Sequence, residues 1–112
     1  MAQNVTAMTC LIDISADDQN SLGIDIEKGT PVRMQMPATM TGTAITFEVS
    51  QDDVTYLPLS FQDAGAISIT TAASKAYNLD PAIFLYAGQY LRVKSGSAEG
   101  GDRSIIIYVK DI

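Results

Sequence analysis

Apolar and polar residues alternate in short runs along this chain. Gly, Asp, Asn and Pro separate the runs at intervals of about 8 to 12 residues, the spacing of a sandwich or barrel. Residues 7–14 read as a first strand, followed by a polar turn at Ala16–Asn20. Residues 22–26 place Leu22, Ile24 and Ile26 on one face and Asp25 on the other. Residues 32–36 set Val32, Met34 and Met36 against Arg33 and Gln35, and Pro37 ends that strand because proline cannot donate to a ladder. The clearest alternation is at 44–50: Ile45, Phe47 and Val49 point one way, and Thr46, Glu48 and Ser50 the other. Gln51-Asp52-Asp53 turns the chain, and Val54 to Leu59 returns as a hairpin partner. Pro58 puts that return strand at an edge or a bulge.

The second half continues the pattern. Residues 66–71 form a short strand with Ile67 and Ile69 inward. Asp80-Pro81-Ala82-Ile83-Phe84 fits one helical turn, with Asp80 as N-cap and Pro81 in the first helical position. Residues 89–94 turn Leu91 and Val93 inward and Arg92 and Lys94 outward. Residues 104–109 are apolar on both faces, which predicts a central or doubly covered strand. Ser95 to Gly101 lies between these two strands and reads as a flexible, glycine-rich hairpin loop. The fold class is therefore all-β: an antiparallel β-sandwich, jelly-roll-like, with about eight strands and one short helical turn near Asp80–Phe84. Residues 1–6 read as a flexible N-terminal arm, and 7–112 as one sandwich domain.

Composition narrows the function classes. The 112 residues suffice for one core, burying roughly two thirds of the surface the unfolded chain exposes. The net charge is −6, and the seven basic residues are scattered, which argues against nucleic acid and against an anionic membrane. No apolar run approaches the roughly 20 residues that cross a bilayer, and no signal peptide is read. Cys10 is the single cysteine and sits in an apolar run, so an inert buried thiol is expected.

Catalytic chemistry finds little support. The absence of histidine removes Ser-His and Cys-His pairs and the usual zinc ligand. Neither a P-loop nor a dinucleotide fingerprint is present. Asp17-Asp18 and Asp52-Asp53 are paired carboxylates in turns. Solvated turn chemistry accounts for them, and calcium at either loop is the alternative. Ser50 to Tyr56 resembles the Asp-box hairpin of carbohydrate-associated proteins, but lacks the glycine and is one residue short. Tyr56, Tyr86 and Tyr90 are candidate exposed aromatics for a sugar platform; partial burial with a wet hydroxyl is the other reading. Met34, Met36 and Met40 read as core filling. The expectation is a non-enzyme with no cofactor.

A set of motifs in fixed order extends this reading. The chain carries Thr30-Pro31-Val32-Arg33 with Met36-Pro37, then Thr46-Phe47-Glu48-Val49-Ser50-Gln51-Asp52 with Val54-Thr55-Tyr56. It continues with Leu79-Asp80-Pro81, Phe84, Tyr90-Leu91-Arg92, Ser95-Gly96 and Asp102-Arg103-Ser104-Ile105. In this order the motifs resemble small virion structural proteins of tailed bacteriophages. The chain departs from the pattern at Asp53, where the pattern has glycine, and at Leu85-Tyr86, an insertion. The resemblance implies a β-sandwich with no catalytic residues. It leaves head or tail open, and the first reading within that class is a capsid decoration (cement) protein, made in the host cytoplasm and placed on the capsid surface of the virion. The implied partners are the major capsid protein and further copies of the chain, a trimer being favoured. Ala2, Gln3, Asn4, Val5 and Thr6 are then candidate capsid or subunit contacts, with plain fraying of the arm as the alternative. A tail- or fibre-associated glycan-binding or adhesion module is the competing reading.

Overall fold

The computed structural model describes residues 5–27, 29–62, 65–84 and 88–111. The elements run β1 (Val5–Ile12), β2 (Ile24–Asp25), β3 (Gly29–Gln35), β4 (Ala44–Ser50), β5 (Leu57–Pro58) and β6 (Ser60–Phe61). They continue with β7 (Gly65–Ala66), β8 (Ser68–Thr70), β9 (Ala76–Asn78), α1 (Pro81–Phe84), β10 (Tyr90–Ser95) and β11 (Arg103–Asp111). One sheet has the order β1-β11-β3-β9. The other has the order β2-β10-β4-β5, with β8 also on β4. All pairings are antiparallel. First strand beside last, with the chain switching sheets at nearly every step, is the jelly-roll arrangement.

The inward positions of both sheets build one core. Cys10, Ile12, Met34, Ile45, Phe47, Leu91, Val93, Ile105 and Ile107 are fully buried, and Ile24, Ile26, Met36 and Val109 nearly so. Met40 packs at the margin. Asp80 caps α1 as expected: its Oδ1 accepts the Ala82 N–H at 3.0 Å. That single turn carries Phe84 onto Phe47, edge to face, with ring centroids 5.1 Å apart. Such a pair adds about 0.5–1.5 kcal/mol beyond burial.

The edge beside β4 is one strand interrupted by an excursion. β5 pairs with the end of β4 and β8 with its beginning, while Ile67 N–H donates to Leu59 O and closes the gap. The β6–β7 hairpin is the excursion. Pro58 therefore sits on an outer edge, where its missing N–H costs no ladder bond.

Several local expectations shift. β1 begins at Val5, so Val5 and Thr6, assigned to the arm by sequence, pair with Lys110 and Val109. Ala2, Gln3 and Asn4 lie outside the described residues. Leu22 is 56% exposed rather than inward. Ser21 takes the buried place, its N–H donating to Val93 O and its Oγ accepting the Val93 N–H. In β3 the register shifts opposite Tyr108/Val109, so Pro31 is buried and Val32 lies at the bulge, only half-buried. The return strand after β4 starts at Leu57, not at Val54, which is 82% exposed. Residues 95–101 do not close a hairpin. β10 and β11 belong to different sheets, and this segment carries the chain between them. β11 is central in its sheet, as its apolar faces predicted.

Candidate functional site

The turn after β4 organises one end of the molecule. Ser50 Oγ accepts the N–H groups of Asp52 and Asp53, and Asp52 Oδ1 accepts those of Val54 and Thr55. These bonds hold the Asp52 carboxyl below the usual range, first through the Thr55 and Val54 amides. Asp53 adopts φ +61°, the left-handed conformation. Asp tolerates that conformation better than most residues. Its Oδ1 accepts the Tyr56 hydroxyl. Burial, then Asp53, pushes the Tyr56 phenol above its ordinary range. Arg92 covers the Tyr56 ring with its guanidinium carbon 4.2 Å from the centroid, and pairs with Glu48 at 2.6 Å. Gly23 packs against the Tyr56 hydroxyl and Asp53, leaving no room for a Cβ.

The candidate aromatics are thus not gathered on one described platform. Tyr56 is half-buried beneath Arg92. Tyr90 is half-buried on β10, its hydroxyl 3.4 Å from Gln89 Nε2. Tyr86 lies outside the described residues. Beside this loop, Val49, Ser50, Gln51, Asp52, Thr55 and Leu57 line an open cleft of about 390 Å³.

One carboxylate of each pair in the turns, Asp17 and Asp52, serves its own backbone. Asp17 Oδ1 accepts the N–H groups of Gln19 and Asn20, and its Oδ2 accepts the Asn20 amide. Those bonds, the Asn20 and Gln19 amides foremost, lower its carboxyl. Among the described residues, no group of three or more His, Cys, Asp or Glu is arranged to hold a metal ion.

Two features were not anticipated from sequence. The first is Glu99, in the segment read as a loose loop. Its side chain is fully enclosed. One carboxylate oxygen accepts Thr41 N–H at 2.8 Å and Arg103 Nε–H at 2.9 Å. The other accepts Gly42 N–H at 2.8 Å and Ser95 Oγ–H at 2.7 Å. Burial alone would raise this carboxyl; the Thr41 amide, Ser95, Gly42 and Arg103 together outweigh it and bring it below the ordinary value. The only sequence signal was an isolated Glu between Ser95 and Arg103, four residues from each.

The second is a cleft of about 360 Å³ where β1 and β2 meet at the open side of the sandwich. Thr6, Met8, Asp25, Glu27, Gly29, Val109 and Asp111 line it. Met8 and Val109 supply an apolar floor, and three carboxylates stand around it. These residues lie far apart in sequence, so no local motif could have announced them.

The fold and these surfaces define a jelly-roll β-sandwich whose polar clusters mostly secure its own turns and crossings. No protein-family model matches the sequence, and no curated protein matches it. Among solved structures, the chain shares its fold with the SPBc2 prophage-derived protein YomS. The TM-score is 0.59 with 12% sequence identity, over 99% of this chain and 96% of that one.

Proposed function

We propose that this chain is a structural protein of a tailed-phage particle, and that within the particle it is a capsid decoration protein. It binds the major capsid protein across subunit junctions, as a homo-oligomer with a trimer favoured, and performs no catalysis. The observation that carries the reading is the fold shared with a prophage-derived protein over nearly the full length of both chains. The ordered motifs from Thr30 to Ile105 support it independently. A compact sandwich with tied-down turns suits a part present in many copies, where modest contacts add by avidity.

The test is localisation. Antibody to this protein is applied to purified particles of the phage that encodes it and viewed by electron microscopy. Label spread evenly over heads is expected. Label confined to the tail tip or fibres would replace decoration with the adhesion reading. Particles without label would overturn the virion assignment itself.

A further inference from the structure

The four outer edges of the two large sheets are not equally protected. β9 has three residues, β2 has two, and the edge beside β4 is broken by Pro58 and the β6–β7 excursion. β1 is different: eight residues long, it pairs on one side only, with β11. Leu11 O points away from β11, because it accepts the Leu22 N–H at 2.8 Å. Main-chain groups on a strand alternate between its two edges. Stepping back from Leu11, those of Thr9, Ala7 and Val5 face the same open edge. Among the described residues none of these three has a backbone partner on that edge, and all three are exposed. Natural edges are commonly blunted by Lys, Pro, bulges or inward charges. Val5-Thr6-Ala7-Met8-Thr9-Cys10 has no charge, no proline and no glycine, and its pairing with β11 is regular throughout.

The cleft of Asp25, Glu27 and Asp111 lies against the same edge, with Thr6 and Met8 of β1 in its wall. Among the described residues no Lys or Arg lines it. We propose that β1 is a docking edge for an extended, basic segment of another protein, which adds to the sheet as a further strand. Its main chain bonds to Val5, Ala7 and Thr9. Every second side chain turns toward the cleft, where Lys or Arg meets Asp25, Glu27 and Asp111 and an apolar neighbour meets Met8 and Val109. A second copy of this chain is the poorer occupant. The sequence from Met1 to Ile12 contains no Lys or Arg, so self-pairing of β1 would leave both acidic clefts unanswered. The inference goes beyond the virion reading and stands or falls separately from it, because its test needs no particle.

The probes are two synthetic peptides of the length of β1. One alternates Thr with Val and Lys; the other carries Glu in place of Lys. Each is titrated at low salt into isotope-labelled protein and followed by NMR and amide exchange. The Lys peptide should bind about tenfold or more tightly than the Glu peptide. It should slow exchange at the Ala7 and Thr9 amides, and weaken as salt is raised. Ala7→Pro removes one donor on the open edge and should abolish binding. Asp25→Asn with Glu27→Gln leaves the edge intact and should bring the two peptides to within about threefold of each other. Equal binding of the two peptides by the wild type, no binding of either, or protection at β9 or β5 instead would overturn the proposal. So would a β1-mediated dimer seen by sedimentation, which would assign the edge to a second copy.

Discussion

Replacing Glu99 with Ala should be among the most damaging single changes in this chain. The substitution leaves two amides, the Ser95 hydroxyl and the Arg103 guanidinium facing an enclosed space without their acceptor. Each hydrogen bond to a charged group is worth about 1.5–3 kcal/mol, but the four share one carboxylate and do not add. Breaking a buried ion pair from one side costs about 3–5 kcal/mol. Arg103 is 13% exposed on its side chain and recovers some hydration, so the expected loss is about 3–4 kcal/mol. A domain of this size has a total stability of about 5–15 kcal/mol. With a urea slope of about 1.5 kcal/mol per molar, the unfolding midpoint should fall by about 2 M. Glu99→Gln keeps the shape but offers one acceptor oxygen where there were two, and should lose about 2 kcal/mol. Gly42→Ala drives a Cβ into Ser95 Oγ and damages the same cluster, so its effect should not add to that of Glu99→Ala. The pH dependence provides a second check. The folded carboxyl lies below its ordinary value of 4.5, so its contribution is complete above that pH. It is lost as pH falls through the lowered folded value. The wild type should therefore lose its advantage over Glu99→Gln on acidification, measured in dilute solution because the pI is near 4.2. A Glu99→Ala protein within 1 kcal/mol of wild type would refute the reasoning.

Three further outcomes are expected. Burial raises the Cys10 thiol to about 12, so at pH 8 roughly one molecule in 10⁴ carries the thiolate. Ellman's reagent should then label it only as fast as the protein unfolds, and labelling of the native protein at free-thiol rates would contradict this. Ser74 holds φ +60° at an exposed turn, so Ser74→Gly should raise stability by about 0.5 kcal/mol and Ser74→Val lower it by about 1. Urea midpoints moving in the opposite order would count against that strain. Arg92→Ala removes both the Glu48 pair and the cover over Tyr56. With allowance for solvent screening, about 1 kcal/mol should be lost, and less at high salt; an unchanged midpoint would mean the cluster is energetically neutral.

What the sequence determined by itself is most of the longer strands and their inward faces; it announced neither β9 nor the β6–β7 pair. The alternation at Ile45, Phe47 and Val49, and at Leu91 and Val93, survives in the folded protein because side chains on a pleat must point to opposite sides. The cap at Asp80 and the proline edge at Pro58 were equally legible, since each follows from the chemistry of a single residue. Pairing was not legible. β10 and β11 each read as one member of a hairpin, yet they lie in different sheets, because an inward apolar face does not say which neighbour covers it. Leu22 and Ser21 exchanged places for a similar reason: a hydrogen-bonded crossing at Val93 and Leu11 outweighed the local alternation. Glu99 looked like a loop carboxylate because its four partners come from three separate stretches of chain. The open edge of β1 and the acidic cleft beside it exist only once β1, β2 and the end of β11 have been brought together. Local chemistry decides what a segment is; only the closed sandwich decides what it meets, because burial is a property of the whole surface.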